Sequence, residues 1–493
     1  MPAFDLIIRG GRVIDGTGAP AFDGDVAVTD GKIAAVGRID GETARIIDAS
    51  GHIVCPGFID VHSHDDIALI NMPGMDFKVA QGVTTVVNGN CGAGAAPATD
   101  AFQLFYRRGV EGILGPVQEW KWRSLPEFYD CVRSAKPSVN AAFLVPHGAL
   151  RAASMGAENR PPTEAELQRM KDHLADGMAA GAVGLSTGLI YAPGAFAQTD
   201  EIIELAKVVA QYGGIYATHM RNEGANLLDA IDEAIRIAEA AGVPVQISHH
   251  KASGRGNWGK TAESVPFIDA ARERGLDITT DAYPYTAAST ALAAIAPRGR
   301  LVRDMDAADV MIASVKHQHQ YEGKMLPEIA SMMDLPVEEA TSRLLREEEN
   351  TPSAIMFLMD EGDVRRVLQH DVCMIGSDGL PTAGKPHPRL YGTFPRVLGR
   401  YSREEGLLTL EDAVRRMTSL PAKKFRLGDR GVVREGAWAD LVVFDSNKVA
   451  DIATYEEPRQ YPTGMPYVLV NGRVVVDGSV PSAIDAGQVL SRA

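Results

Sequence analysis

Cysteine is scarce in this chain. Four cysteines (Cys55, Cys91, Cys131 and Cys373) among 493 residues cannot staple a fold of this size, so a disulfide framework is excluded. Positive charge is also short: 49 Lys and Arg face 64 Asp and Glu, and the net charge of −15 argues against a nucleic-acid partner and against docking on anionic lipid. No apolar run is long enough to span a bilayer. The opening Met1-Pro2-Ala3-Phe4-Asp5-Leu6 lacks the basic stretch followed by an apolar one that a secretory signal needs. These absences predict a cytoplasmic protein with neither membrane nor nucleic-acid partners. Its size and its 45% hydrophobic residues allow one large barrel and a smaller domain.

What is present is ordered alternation. Near the start, 5–9 and 12–15 flank Gly10-Gly11, and 25–29 and 32–36 flank Asp30-Gly31. Glycine turns between short β-rich runs predict hairpins. The other end repeats the pattern, with a strand at 439–444 and a hairpin of 467–470 and 473–476 about Asn471-Gly472. Chain ends often lie close together, so residues 1–56 and 424–493 are expected to build one small β-sandwich domain. Between them run eight apolar strand candidates: 53–61, 84–90, 139–145, 182–189, 214–219, 243–249, 276–282 and 372–378. Amphipathic helical stretches separate them, including 164–180, 201–212, 225–241, 264–274 and 361–369. That count is the count of an α/β (β/α)₈ TIM-like barrel over 57–423, although a doubly wound sheet would accommodate the same alternation. The segment 286–353 is too long for a plain connection and is read as an insertion over the barrel mouth, a lid.

Metal-binding side chains recur where these strands finish. His62 and His64 lie two residues apart, so an extended chain points both imidazoles one way. Cys91 follows the second strand inside Asn88-Gly89-Asn90-Cys91-Gly92, His219 ends the fifth, His249 the sixth and Asp378 the eighth. In a barrel all strand C-termini share one face, so these ligands converge without further assumption. A set of His, Cys and Asp selects Zn²⁺, which lowers the pKa of bound water to about 7. Asp378 then serves as the base that takes the proton of water and passes it to the leaving group. Lys251, two residues past His249, points to the same face if the strand persists.

Taken in series, these motifs resemble the amidohydrolase superfamily and, in detail, its N-acyl-D-amino-acid deacylases (D-aminoacylases). The resemblance runs from Ile8-Arg9-Gly10-Gly11-Arg12-Val13 through Pro56-Gly57-Phe58-Ile59-Asp60-Val61-His62-Ser63-His64. It continues through Gly89-Asn90-Cys91-Gly92, residues 188–194, 218–224, 247–251 and 281–285, to Ser377-Asp378-Gly379 and 392–399. It implies that Cys91, His219 and His249 hold one zinc tightly, while His62, His64 and Asp378 form a second position, weak or empty. It also implies that Lys251 anchors the substrate carboxylate, assisted by Tyr191, Tyr283 and Ser289, with Arg389 as a second candidate cation. The fourth strand, Gly184-Leu185-Ser186-Thr187, lacks the lysine whose carbamate bridges two metals in many relatives, and Cys91 looks like its substitute. The expected activity is zinc-dependent hydrolysis of N-acyl-D-amino acids, its stereopreference resting on the resemblance alone. Cyclic-amide hydrolysis, or D-aminoacyl ester or peptide hydrolysis, is the alternative, and a non-catalytic scaffold barrel a remote one.

Overall fold

The computed structural model of the protein describes residues 4–302 and 305–492. Eight parallel strands follow one another around a ring in chain order: Phe58–Asp60, Val83–Asn88, Asn140–Pro146, Gly184–Gly188, Ile215–His219, Val245–Ile247, Ile278–Ala282 and Cys373–Ile375. The last is joined to the first beyond the strand ends, where Ser63 bridges Gly379. This is a nearly closed (β/α)₈ barrel, not a doubly wound sheet.

Period-two alternation sorts the strand residues into two cores. Ile59, Val87, Ala142, Leu144, Ile215, Ala217 and Met374 form one buried cluster with Ala422, Phe425 and Leu427, which fill the barrel interior. Their neighbours Phe58, Val86, Phe143, Val145, Tyr216, Val245 and Ile375 pack in another with helix residues such as Phe128, Leu174, Leu205, Ile231 and Ile268. The helices form where the sequence offers both a cap and a stripe. Glu164–Ala179 starts at a capping box in which the Thr163 amide donates to Glu166 and the Glu166 amide donates to the Thr163 hydroxyl. It buries Met170, Leu174 and Met178.

Strands from both chain ends combine into one separate nine-stranded sheet. Val54, Leu441, Val443 and Leu469 lie in its own core, whereas Cys55, Val442, Phe444, Val468 and Val470 pack against the barrel. The run expected as one strand over 53–61 divides between the two sheets: Ile53–Pro56 pairs with Leu441–Phe444 in the terminal sheet, and Phe58–Asp60 starts the barrel. Gly57 sits at the break, so close to Thr84 that any side chain would collide. The expected turn at Gly10-Gly11 is instead a bulge within a continuous strand, Leu6–Val13. Gly10 adopts φ 71° there, a conformation that costs glycine nothing.

Between the seventh and eighth barrel strands, the chain builds a three-stranded sheet of Ala288–Ala291, Val310–Ser314 and Ser353–Met356. With helices Leu326–Met333 and Val337–Glu347 it encloses a core of its own. Among the described residues, all four cysteines are free and no helix is long and apolar enough to cross a membrane.

Candidate active site

Apart from His219, which ends its strand, the expected metal ligands sit just past the strands rather than on them. The second strand stops at Asn88, the sixth at Ile247 and the eighth at Ile375. Cys91, His249 and Asp378 then adopt left-handed backbone, with φ of 55°, 36° and 49°. That conformation costs a residue with a Cβ roughly 1–2 kcal/mol. Three such residues at one rim mark a place where side-chain direction outweighs backbone comfort.

These turns bring six expected ligands together. Donor atoms of His62, His64, Cys91 and Asp378 lie within 4.8 Å of one another, as do those of Cys91, His219 and His249. Cys91 belongs to both sets: its Sγ is 3.2 Å from His62 Nε2 and 3.4 Å from His249 Nε2. Asp378 Oδ1 is 3.2 Å from His64 Nε2 and 3.4 Å from His62 Nε2. Both ring nitrogens of His219 are buried without a hydrogen-bond partner among the described residues. Unsatisfied buried imidazole beside a thiol is the donor chemistry of a zinc site.

Carboxylates behind the rings complete the arrangement. Glu223 Oε1 is 2.9 Å from His249 Nδ1, and Asp281 Oδ1 is 3.3 Å from His62 Nδ1. The same Asp281 oxygen accepts from the His249 amide at 2.9 Å. Each carboxylate lies beside the outer ring nitrogen, on the side away from the Nε2 that faces the cluster. Sequence reading passed over both residues, although Glu223 lies within the motif that holds His219 and Asp281 opens the one holding Tyr283. Signal was present in the neighbouring motifs.

Negative charge governs the electrostatics. Burial pushes the Cys91 thiol up, but His62 and His249 more than offset this and hold it well below its ordinary range. Burial likewise raises Asp378, and Arg389 and His62 overcome it, keeping the carboxylate ionised. For His64 burial favours the neutral ring, yet the hydrogen bonds to Asp378 and Cys91 lift it to about 9. Burial instead lowers His219, but a pocket that raises His62, His64 and His249 attracts cations, and a metal ion competes there with protons.

Above this floor opens a cavity of about 1030 Å³ lined by His64, Cys91, His219, His249 and Asp378. Lys251, Tyr191, Tyr283 and Ser289 also line it. Lys251 Nζ lies 2.6 Å from Glu223 Oε1 and 5.9 Å from the Tyr283 ring centre. The Tyr191 hydroxyl is 3.1 Å from that of Thr290 in the insertion. Arg389 is placed differently. It is wholly buried outside the cavity lining, where Nη2 sits 2.9 Å from Asp378 Oδ2 and donates to the Ser289 carbonyl at 3.1 Å. Its guanidinium also stacks 4.4 Å from the Tyr283 ring centre.

Residues 45–476 match the sequence pattern of the Amidohydrolase family. The chain belongs to that family. This amidohydrolase is 43% identical over 491 residues to a D-aminoacylase of Alcaligenes xylosoxydans xylosoxydans, covering 99% of this chain and 98% of that protein. It is similar throughout to the crystal structure of N-acyl-D-glutamate deacylase from Bordetella bronchiseptica. That structure contains zinc and a phosphonate inhibitor mimicking the tetrahedral intermediate of the reaction; the two share 42% identity and a TM-score of 0.92, with 99% of each chain covered. A D-aminoacylase structure concerned with a binuclear metal centre, with one-metal activation and second-metal attenuation, matches at 43% identity and TM-score 0.92 over 99% of this amidohydrolase and 100% of that chain.

Proposed function

We propose that this amidohydrolase is a zinc-dependent deacylase that cleaves the amide bond of N-acyl-D-amino acids, giving a carboxylate and a free D-amino acid. The observation that carries the reading is the shared cluster itself: Cys91, His219 and His249 beside His62, His64 and Asp378, on the floor of a cavity that also holds Lys251. Cys91, His219 and His249 would hold one zinc tightly, and His62, His64 and Asp378 a second that is weak or empty. Zinc bound there supplies a Lewis acid and hydroxide at neutral pH.

The chain's own groups do the rest. Asp378 offers Oδ1 to the proton of the attacking water, while Arg389 fixes Oδ2 and so the plane of the carboxylate. The same carboxyl group hands that proton to the departing amine, which leaves poorly unprotonated. Lys251 takes the substrate carboxylate, assisted by Tyr191, Tyr283 and Ser289. The insertion acts as a lid that limits water. The preference for D-substrates rests on the relatives. A small-molecule substrate and a cytoplasmic location without nucleic-acid partners complete the proposal.

A hydrolysis screen of N-acetyl amino acids in both enantiomers, with zinc measured on the same sample, tests it. Release of D-amino acids by a zinc-containing preparation is expected. Turnover confined to L-substrates or to cyclic amides, or a metal-free active protein, overturns it.

A further inference from the structure

We infer that one wall of the cavity is an acyl-chain channel, and that the preferred substrates carry an extended aliphatic acyl group rather than acetyl. The inference rests on the deacylase reading above and adds the class of acyl group to it.

Size gives the first indication. A cavity of about 1030 Å³ lies at the upper end of the roughly 300–1,000 Å³ typical of small-molecule sites, and an acetylated amino acid would leave much of it empty. Asn222, Asn226, Ser253 and Asn257 give part of the surplus space a polar lining, but another part is apolar. Away from the metal-binding residues, Phe105, Val110 and Ile113 line the cavity together with Ile295, Val302 and Met305. Apolar surface continues to the mouth, where Ile190 and Val302 each stay 41% exposed. Arg108, on the same wall, is solvent-exposed, so its head group stays hydrated while its stem extends the apolar surface.

Direction assigns this wall to the acyl half. The scissile carbonyl must meet the cluster at Cys91, His219 and His249. The amine half must then reach Lys251 and Tyr283, which follow the sixth and seventh strands, and Asp378, which follows the eighth. The acyl half therefore points across the barrel to the ends of the second to fourth strands. There Gly92, Ala93, Gly188 and Ile190 line the path toward residues 105–113.

Gly109 marks the channel. It lies within the wide helical turn Tyr106–Val110, and such turns gather at functional sites. Glycine inside a helix is unfavourable relative to alanine, so its presence needs a reason. A Cβ built on Gly109 meets no atom within 4 Å, and the residue lines the cavity. Any larger residue would project into the space assigned here to methylenes.

The test compares acetyl, butanoyl, hexanoyl and octanoyl derivatives of one D-amino acid, and in parallel a side-chain series at fixed acetyl. Burial of each methylene is expected to raise kcat/KM roughly fourfold over the first steps, giving at least about a tenfold gain from acetyl to hexanoyl. Gly109→Leu, which suits a helix better than glycine, should lower the hexanoyl-to-acetyl ratio by about tenfold, and Gly109→Ala by less. A flat or falling acyl series overturns the inference. So does a gain confined to the side-chain series, or a Gly109→Leu variant whose ratio matches wild type. If no N-acyl-D-amino acid is cleaved at all, the deacylase reading falls and takes this one with it.

Discussion

The amide of Asp378 donates to the carbonyl of His62 over 2.7 Å, and its carboxylate returns to the same residue's Nε2 at 3.4 Å. One contact closes the barrel seam; the other sets the proposed acid–base group against an imidazole of the cluster. Asp378 holds φ 49°, which asparagine tolerates as readily as aspartate. Asp378→Asn is therefore expected to fold and to keep zinc on Cys91, His219 and His249, while kcat falls by roughly 10²–10⁴. Its melting temperature should drop by a few degrees, because buried Arg389 loses its counter-charge. Circular dichroism, zinc content and kcat on one preparation check this. Wild-type turnover would remove Asp378 from the proton-transfer role.

Zinc links the site to the stability of the fold. A ligand that binds only the native state stabilises it in proportion to its occupancy, and the six converging residues come from strands across the whole barrel. Exhaustive chelation is expected to abolish hydrolysis and lower the melting temperature by several degrees, and one equivalent of Zn²⁺ should restore both. Calorimetry with metal analysis measures the effect. Cys91→Ala should lose this zinc dependence of melting, since it removes the donor common to both sets.

Much of the site was legible in the sequence because barrel topology makes strand order predict convergence. His62, Cys91, His219, His249 and Asp378 needed only an apolar strand before each. What stayed hidden was orientation. Nothing in the run 53–61 shows that Gly57 hands the chain from one sheet to another, since the collision it avoids is with Thr84 in a distant strand. Arg389 shows the same limit. Its motif announced a useful cation, but only the fold shows it bound to Asp378 from behind. Glu223 and Asp281 were missed because second carboxylates follow no spacing rule; they lie wherever the fold leaves an imidazole nitrogen uncovered.

Lys251 should separate binding from chemistry. If it takes the substrate carboxylate, Lys251→Met removes a charge-assisted hydrogen bond worth about 1.5–3 kcal/mol, and KM should rise roughly 10- to 100-fold. Substrates with a carboxamide in place of the carboxylate should lose far less. Steady-state kinetics on both substrate types decides. Equal losses would mean that Lys251 acts chiefly through Glu223 and His249, which it touches at 2.6 and 2.8 Å.

Beneath the rim, Lys78 is completely buried and bridges Asp60 at 2.6 Å and Asp65 at 3.2 Å. It also donates to the Ser377 hydroxyl at 2.9 Å. Asp60 in turn accepts from the Ser377 amide at 2.8 Å, one residue before Asp378. Lys78→Met would strand two carboxylates in the barrel, a loss of about 3–5 kcal/mol that a denaturant midpoint would register. It should also lower kcat, because the Ser377 anchor that aims Asp378 loses a partner. Neutralising the stranded acids tells the two effects apart: Lys78→Met combined with Asp60→Asn and Asp65→Asn should recover stability, since buried charge is what costs, yet leave kcat depressed. Recovery of both would show that Lys78 serves the fold alone and that Asp378 needs no ionic support from below.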